Sequence, residues 1–129
     1  MNDINNDIGK SLFILALNET ARFVLEEKGN LRHGNGKPIL EQDWKFITDN
    51  VGTGFCIGQA LKKILEVKNI SDPVKWREEL KGAISYITFA MVYADIERMK
   101  AEALRAAQAP RQEAAPVEPE LSSIDPDVD

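Results

Sequence analysis

The stretch WKFITDNVGTGFCIGQALKKILEV, from Trp44 to Val67, decides the fold because it carries a long apolar helical stripe interrupted by glycines. Read with a period of 3.6 residues, its apolar and glycine positions fall on one face at spacings of three and four. That face comprises Trp44, Ile47, Val51, Gly54, Gly58, Leu61 and Leu65. The pattern predicts a core-facing helix whose central glycines allow another backbone or a ligand to approach closely.

The segment NVGTG, residues 50–54, leaves two architectures open. A glycine inside a helix costs about 1 kcal/mol relative to alanine, so two of them favour a break or a kink. If residues 39–67 form one helix, the chain is a bundle of three long helices. If they break, it has four shorter helices, with Asn50 or Thr53 as the N-cap of the later one. Both alternatives predict an all-α fold.

Two further helices flank this stretch. The first is predicted from Ile4 to about Glu27 by a wide apolar stripe, and Gly29 is a natural stop. Residues 28–38 read as an exposed loop that contains the sole histidine, His33. The last helix starts at Ser71-Asp72-Pro73, with Asp72 or Ser71 as its cap and Pro73 in its first turn.

Charge and proline content divide the chain. Residues 110–129 contain four prolines, six acids and one base, so they carry the entire net charge of −5. Such a segment buries too little apolar surface to offset the entropy of ordering. The sequence therefore predicts a helical bundle domain over residues 1–109 and a disordered, acidic, proline-rich tail over residues 110–129.

The composition excludes several classes of protein. The remaining body has 15 acids and 15 bases, which argues against the basic surface that nucleic-acid binding requires. No apolar run approaches the length of about 18 residues that a membrane span needs. The single Cys56 cannot form an intramolecular disulfide, and its apolar surroundings are typical of a buried, reduced thiol. These features predict a cytoplasmic protein with no membrane or nucleic-acid partner.

The glycine segment also raises the question of a ligand. VGTGFCIGQALKKIL resembles a dinucleotide-binding glycine turn, but the preceding WKFITDN is no apolar strand and the glycine spacing is one residue too long. A small-ligand or nucleotide-like site at Asn50, Thr53, Gly54 and Gly58 is kept as an alternative. No catalytic motif or metal-ligand spacing occurs, so no enzyme activity, cofactor or metal is predicted.

The last helix carries the strongest signal for a partner, because apolar residues cover more than half of its circumference. One stripe is Leu80, Ala83, Ile84, Ile87, Met91 and Ala94. An adjoining aromatic stripe is Trp76, Tyr86, Phe89 and Tyr93, followed by Ile96. Two neighbours in so small a bundle would leave part of this arc exposed. The sequence therefore predicts a non-enzymatic interaction protein that self-associates, as a dimer first, or binds another protein through Trp76, Tyr86, Phe89 and Tyr93.

Overall fold

The computed structural model describes residues 2–27, 30 and 35–110, and these residues form an all-α fold. Four α-helices occur in the described ranges: α1 (Asn2–Glu26), α2 (Asp43–Val51), α3 (Gly54–Val67) and α4 (Pro73–Gln108). A short 3-10 turn, Ile39–Glu41, precedes α2. The predicted loop histidine, His33, and the predicted disordered tail beyond Arg111 lie outside the described residues.

The break in the central stretch occurs at Gly52, which selects the four-helix alternative. Gly52 has φ of +91°, a conformation that side-chain-bearing residues rarely adopt, and its N–H donates to the Thr48 carbonyl at 2.8 Å. Thr53 occupies the N-cap position of α3, but its side chain makes no capping hydrogen bond. The Asn50 amide instead donates to the Phe46 carbonyl at 2.8 Å. The cap predicted for α3 is therefore wrong in its chemistry.

The break also redirects the predicted stripe. Trp44 is buried, but Val51, Gly54, Gly58, Leu61 and Leu65 are all exposed. The non-helical backbone conformation at Gly52 changes the rotation of the second helix, so that the buried face of α3 carries Cys56 and Ala60. The prediction that one continuous face points to the core was wrong from Val51 onward.

A small aromatic core joins α2, α3 and α4. The rings of Trp44 and Phe89 stack with centroids 4.4 Å apart and planes 3° apart, and Cys56 is fully buried beside them. The Thr48 hydroxyl donates to the Trp44 carbonyl at 2.6 Å and lies 3.4 Å from the Cys56 sulfur. Partly buried side chains surround this centre: Val24, Ile39, Phe55, Tyr86, Ala90, Val92 and Tyr93.

The start of α4 agrees with the sequence prediction. The Asp72 carboxylate accepts a hydrogen bond from the Val74 N–H at 3.3 Å, and Pro73 is the first helical residue. A buried Gly82 then lets the alkyl chain of Lys63 lie against α4, because an added Cβ would come within 2.9 Å of that chain. The Lys63 ammonium reaches Glu79 at 3.3 Å, which ties α3 to α4.

The chain divides into two compact units, Met1–Ile96 and Glu97–Asp129. The first contains α1, α2, α3 and most of α4, including the aromatic core. The described part of the second is the remainder of α4, which is helical to Gln108. Its surface carries the ion pairs Arg98 with Glu102 and Lys100 with Glu97.

Candidate protein-binding site

An apolar groove lies between α1 and α4. Two adjacent cavities of about 300 Å³ and about 280 Å³ form it, and both are lined by Leu17, Thr20 and Ile84. The first cavity continues towards Leu25 and Val92, and the second towards Phe13 and Trp76. Residue numbers thus increase in the same direction along both walls, which means that α1 and α4 run side by side in parallel.

The helical period explains why this groove is apolar. On α4, the residues Trp76, Leu80, Ile84, Thr88 and Val92 repeat every four positions, so they form one wall. On α1, the opposite wall contains Phe13, Leu17, Ala21 and Leu25 at the same spacing. We refer to these nine residues as the α1/α4 groove.

Charged residues close one edge of the α1/α4 groove. The Glu19 carboxylate accepts hydrogen bonds at 2.8 Å from both Nε and Nη2 of Arg77. The Lys81 ammonium lies 2.6 Å from the same carboxylate and 5.3 Å from the centre of the Phe23 ring. The hydrogen bonds from Arg77 and then Lys81 lower the pKa of Glu19 to about 2, and the same pair raises the pKa of Arg77. This cluster fixes α4 against α1.

The first half of α1 is a second apolar surface in the same unit. Every described side chain from Asp3 to Asn18 is exposed. The large apolar residues there are Ile4, Ile8, Leu12, Phe13, Ile14, Leu15 and Leu17, between 47% and 66% exposed. The apolar stripe predicted on α1 is therefore buried only at its C-terminal end, where Phe23 is covered and Val24 is half-buried. Sequence periodicity located this stripe but did not indicate how much of it is covered.

The four aromatic residues predicted to form an interface lie in different environments in the structure. Phe89 is only 9% exposed and belongs to the core, where it stacks on Trp44 and meets the Tyr86 ring edge-on. Tyr86 is half-buried, and this burial, with a smaller effect of Cys56, raises its pKa. Tyr93 is half-buried below the Lys45 ammonium, 5.7 Å from its ring centre. Trp76, 43% exposed, lines the α1/α4 groove.

The residues predicted to bind a small ligand do not line the α1/α4 groove. A Cβ built on Gly54 or Gly58 meets no atom within 4 Å, so in this chain neither glycine lies under a close-packed neighbour. Gly58 lies on an open depression with Leu61, Lys62 and Leu65, whereas the Asn50 amide is engaged by the Phe46 carbonyl. The expected close approach of another backbone is therefore wrong for Gly54 and Gly58 within the described residues.

Sequence reasoning missed the α1/α4 groove. A usable signal was present in the run Leu12-Phe13-Ile14-Leu15, which is apolar around the whole helix and so cannot all face one core. The second signal was the four-residue repeat from Trp76 to Val92, which contains the polar Thr88 and was therefore not recognised as a stripe.

Neither a metal-binding cluster nor a membrane-spanning helix is present in the described ranges. Within residues 2–27, 30 and 35–110, no group of three His, Cys, Asp or Glu side chains is arranged to hold a metal ion. In the same ranges, no helix has both the length and the apolar character to cross a bilayer.

Comparison with known proteins identifies no relative: no protein-family model, no curated protein and no solved structure matches this chain.

Proposed function

We propose that this protein is a non-enzymatic helical interaction protein that self-associates through the apolar surfaces of α1 and α4. The observation that carries the proposal is the pair of uncovered apolar surfaces in one unit, the α1/α4 groove and the first half of α1. Exposed apolar patches larger than a few hundred Å² are rare on monomeric soluble proteins and are typical of interaction sites.

The balance between core and surface supports this proposal. Among the described residues, six apolar side chains are buried, whereas 22 large apolar residues are exposed. Burial of apolar area stabilises a protein by about 25 cal/mol per Å², and a core of this size leaves most of that contribution unused. Association with another apolar helix surface recovers it.

The position of the proposed surface differs from the one expected from the sequence. Phe89 and Tyr86 lie in the core, so the interaction surface is displaced around α4 towards Trp76 and Ile84 and includes α1. A partner helix lying in such a groove contacts both walls through side chains spaced three and four residues apart. The alternative, a nucleotide-like ligand at Asn50, Thr53, Gly54 and Gly58, gains no comparable observation, and we do not propose it.

The test is the mass of the full-length protein in solution. We expect light scattering after size-exclusion chromatography to give twice the chain mass of 14.4 kDa. The protein should be at about 10–100 μM, because a dimer with a micromolar Kd is largely associated at that concentration. Dilution should shift the mass towards 14.4 kDa, which would identify a reversible equilibrium. A mass of one chain throughout that range would refute self-association.

A further inference from the structure

Among the described residues, none covers the first half of α1. The groove lining places Phe13 beside Trp76, and α4 begins only one turn earlier, at Pro73. The residues before about Lys10 therefore precede the start of α4. A continuous helix cannot fold back, so this segment cannot enter the groove that the later part of α1 helps to form.

The first half of α1 continues a helix that is packed only at its C-terminal end. Most helical stability in proteins comes from tertiary packing of an apolar face rather than from intrinsic propensity. The segment also contains Gly9 and several asparagines, which are weak helix formers. A second helix packed on this apolar face would therefore stabilise it.

We propose, as a more specific form of the function proposed above and resting on it, that residues 2–12 of α1 occupy the α1/α4 groove of a second copy. The exchange is reciprocal: each copy inserts its own α1 segment and receives the other. The occupant of the groove is thus a second copy of this chain.

The dimensions of the segment match the groove. Its stripe Ile4, Ile8 and Leu12 spans about 12 Å at 1.5 Å per residue, and the α1 wall of the groove from Phe13 to Ala21 also spans about 12 Å. Rows of side chains four residues apart occur on the segment and on both walls, which permits ridges-into-grooves packing.

Symmetry fixes the direction of insertion. In a closed two-fold dimer, both copies must use the same surfaces. Suppose that the two α1 helices ran parallel, with the first half of one beside the second half of the other. The first half of the second helix would then have no partner in the pair, and the assembly would extend by adding further copies instead of closing. Only an antiparallel pair of α1 helices satisfies both contacts at once.

Charge is consistent with this antiparallel register. Placing Ile8 opposite Leu17 brings Asp3 opposite the exposed Arg22 and brings Gly9 opposite Ala16. The negative first turn of the inserted helix therefore meets a base, and the smallest residue of the segment meets another small one.

The apolar area that faces the partner is a large part of what a stable dimer needs. In this register it comprises Ile4, Ile8, Leu12, Phe13 and Leu17, between 47% and 66% exposed. At on the order of 80–100 Å² of exposed area each, they supply about 400–500 Å² per copy, to which the exposed Trp76 and Ile84 of α4 add. Standard stable interfaces bury about 800 Å² per partner.

Charge substitution at two matched leucines tests the inference. Leu12 and Leu65 are both 61% exposed, but Leu12 lies in the inserted segment and Leu65 lies on α3, away from the groove. We expect Leu12→Glu to raise the dimer Kd by at least about 100-fold in sedimentation equilibrium of the full chain, because it buries two carboxylates per dimer. Leu65→Glu should leave the Kd within about threefold of wild type.

Cross-linking tests the register with milder changes and remains decisive if Leu12→Glu does not fold. The native Cys56 is fully buried, so an added thiol is the reactive one. Mixing Ile8→Cys with Leu17→Cys under oxidising conditions should give disulfide-linked heterodimers, and each variant alone should give few. Linked Ile8→Cys homodimers would indicate parallel helices and overturn the inference.

The two levels of the proposal fail differently. A wild type that is monomeric at all concentrations refutes the proposed function and the inference together. A wild-type dimer that survives Leu12→Glu and gives no 8-to-17 link refutes only the inference, and the self-association would then use another surface, such as the one around Leu65.

Discussion

Replacing Phe89 by alanine tests which side of α4 is core. The ring is 9% exposed, stacks on Trp44 at 4.4 Å and meets Tyr86 at 5.8 Å. Truncation of a buried phenylalanine costs about 3–5 kcal/mol, which includes loss of the aromatic pair at about 0.5–1.5 kcal/mol. Small domains have a total stability of about 5–15 kcal/mol, so Phe89→Ala should remove a large part of it.

Phe46→Ala is the matched control. Phe46 is also a phenylalanine, lies on α2 two residues from Trp44, and is 71% exposed. Its truncation should change the free energy of unfolding by less than about 0.5 kcal/mol. The difference between the two variants therefore measures burial rather than the chemistry of the side chain.

Urea unfolding is the appropriate assay, followed by tryptophan fluorescence and far-ultraviolet circular dichroism. Trp44 stacks directly on Phe89, so its emission reports on the core. All proteins should be compared at one chain concentration, because the apparent stability of a dimer depends on it. If Phe89→Ala costs no more than Phe46→Ala but abolishes the dimer, the core assignment is wrong and Phe89 belongs to the interface, as the sequence pattern first indicated.

Two further predictions concern the ion-pair cluster and the glycines. Glu19→Gln should destabilise the protein at pH 7. The folded pKa of Glu19, about 2, lies below its ordinary value of 4.5. The difference in free energy of unfolding between wild type and variant should therefore be complete above pH 4.5 and disappear as the pH falls towards 2 in urea titrations. A difference that persists at pH 2 would contradict the ion-pair assignment. Gly58→Ala should stabilise the protein by up to about 1 kcal/mol because the added Cβ meets no neighbour. Gly52→Ala should destabilise it by about 1 kcal/mol or more because alanine rarely adopts the φ of +91° found there. Equal effects of the two substitutions in thermal unfolding would contradict this contrast.

Local chemistry made part of the fold predictable. The end of α1 near Glu27 and the start of α4 at Asp72-Pro73 follow from glycine, proline and capping residues that act within a few positions. The break near Gly52 was predictable as one of two alternatives, because glycine in this position admits a positive φ. Signals of this kind do not depend on what the helices pack against.

Which helix faces are covered was not predictable. The residues Gly54, Gly58 and Leu61 share one face with Trp44 only if residues 39–67 form one unbroken helix. The single non-helical backbone conformation at Gly52 was enough to direct Cys56 inward and Leu61 outward. The first half of α1 shows the same limit, because periodicity identifies an apolar face without indicating whether that face is covered by its own chain.

The wide apolar arc of α4 has a physical explanation in this arrangement. Ala83 and Phe89 are buried within the chain, whereas Ile84, Ile87 and Met91 remain 38%, 46% and 63% exposed. Neither α1 nor the α2/α3 pair covers that second set. In the proposed dimer, a helix from another copy that enters the α1/α4 groove beside Ile84 would reach this second set without any change in the core. Folding of the first half of α1 and association of two chains would then be one coupled process, since the same contacts stabilise both.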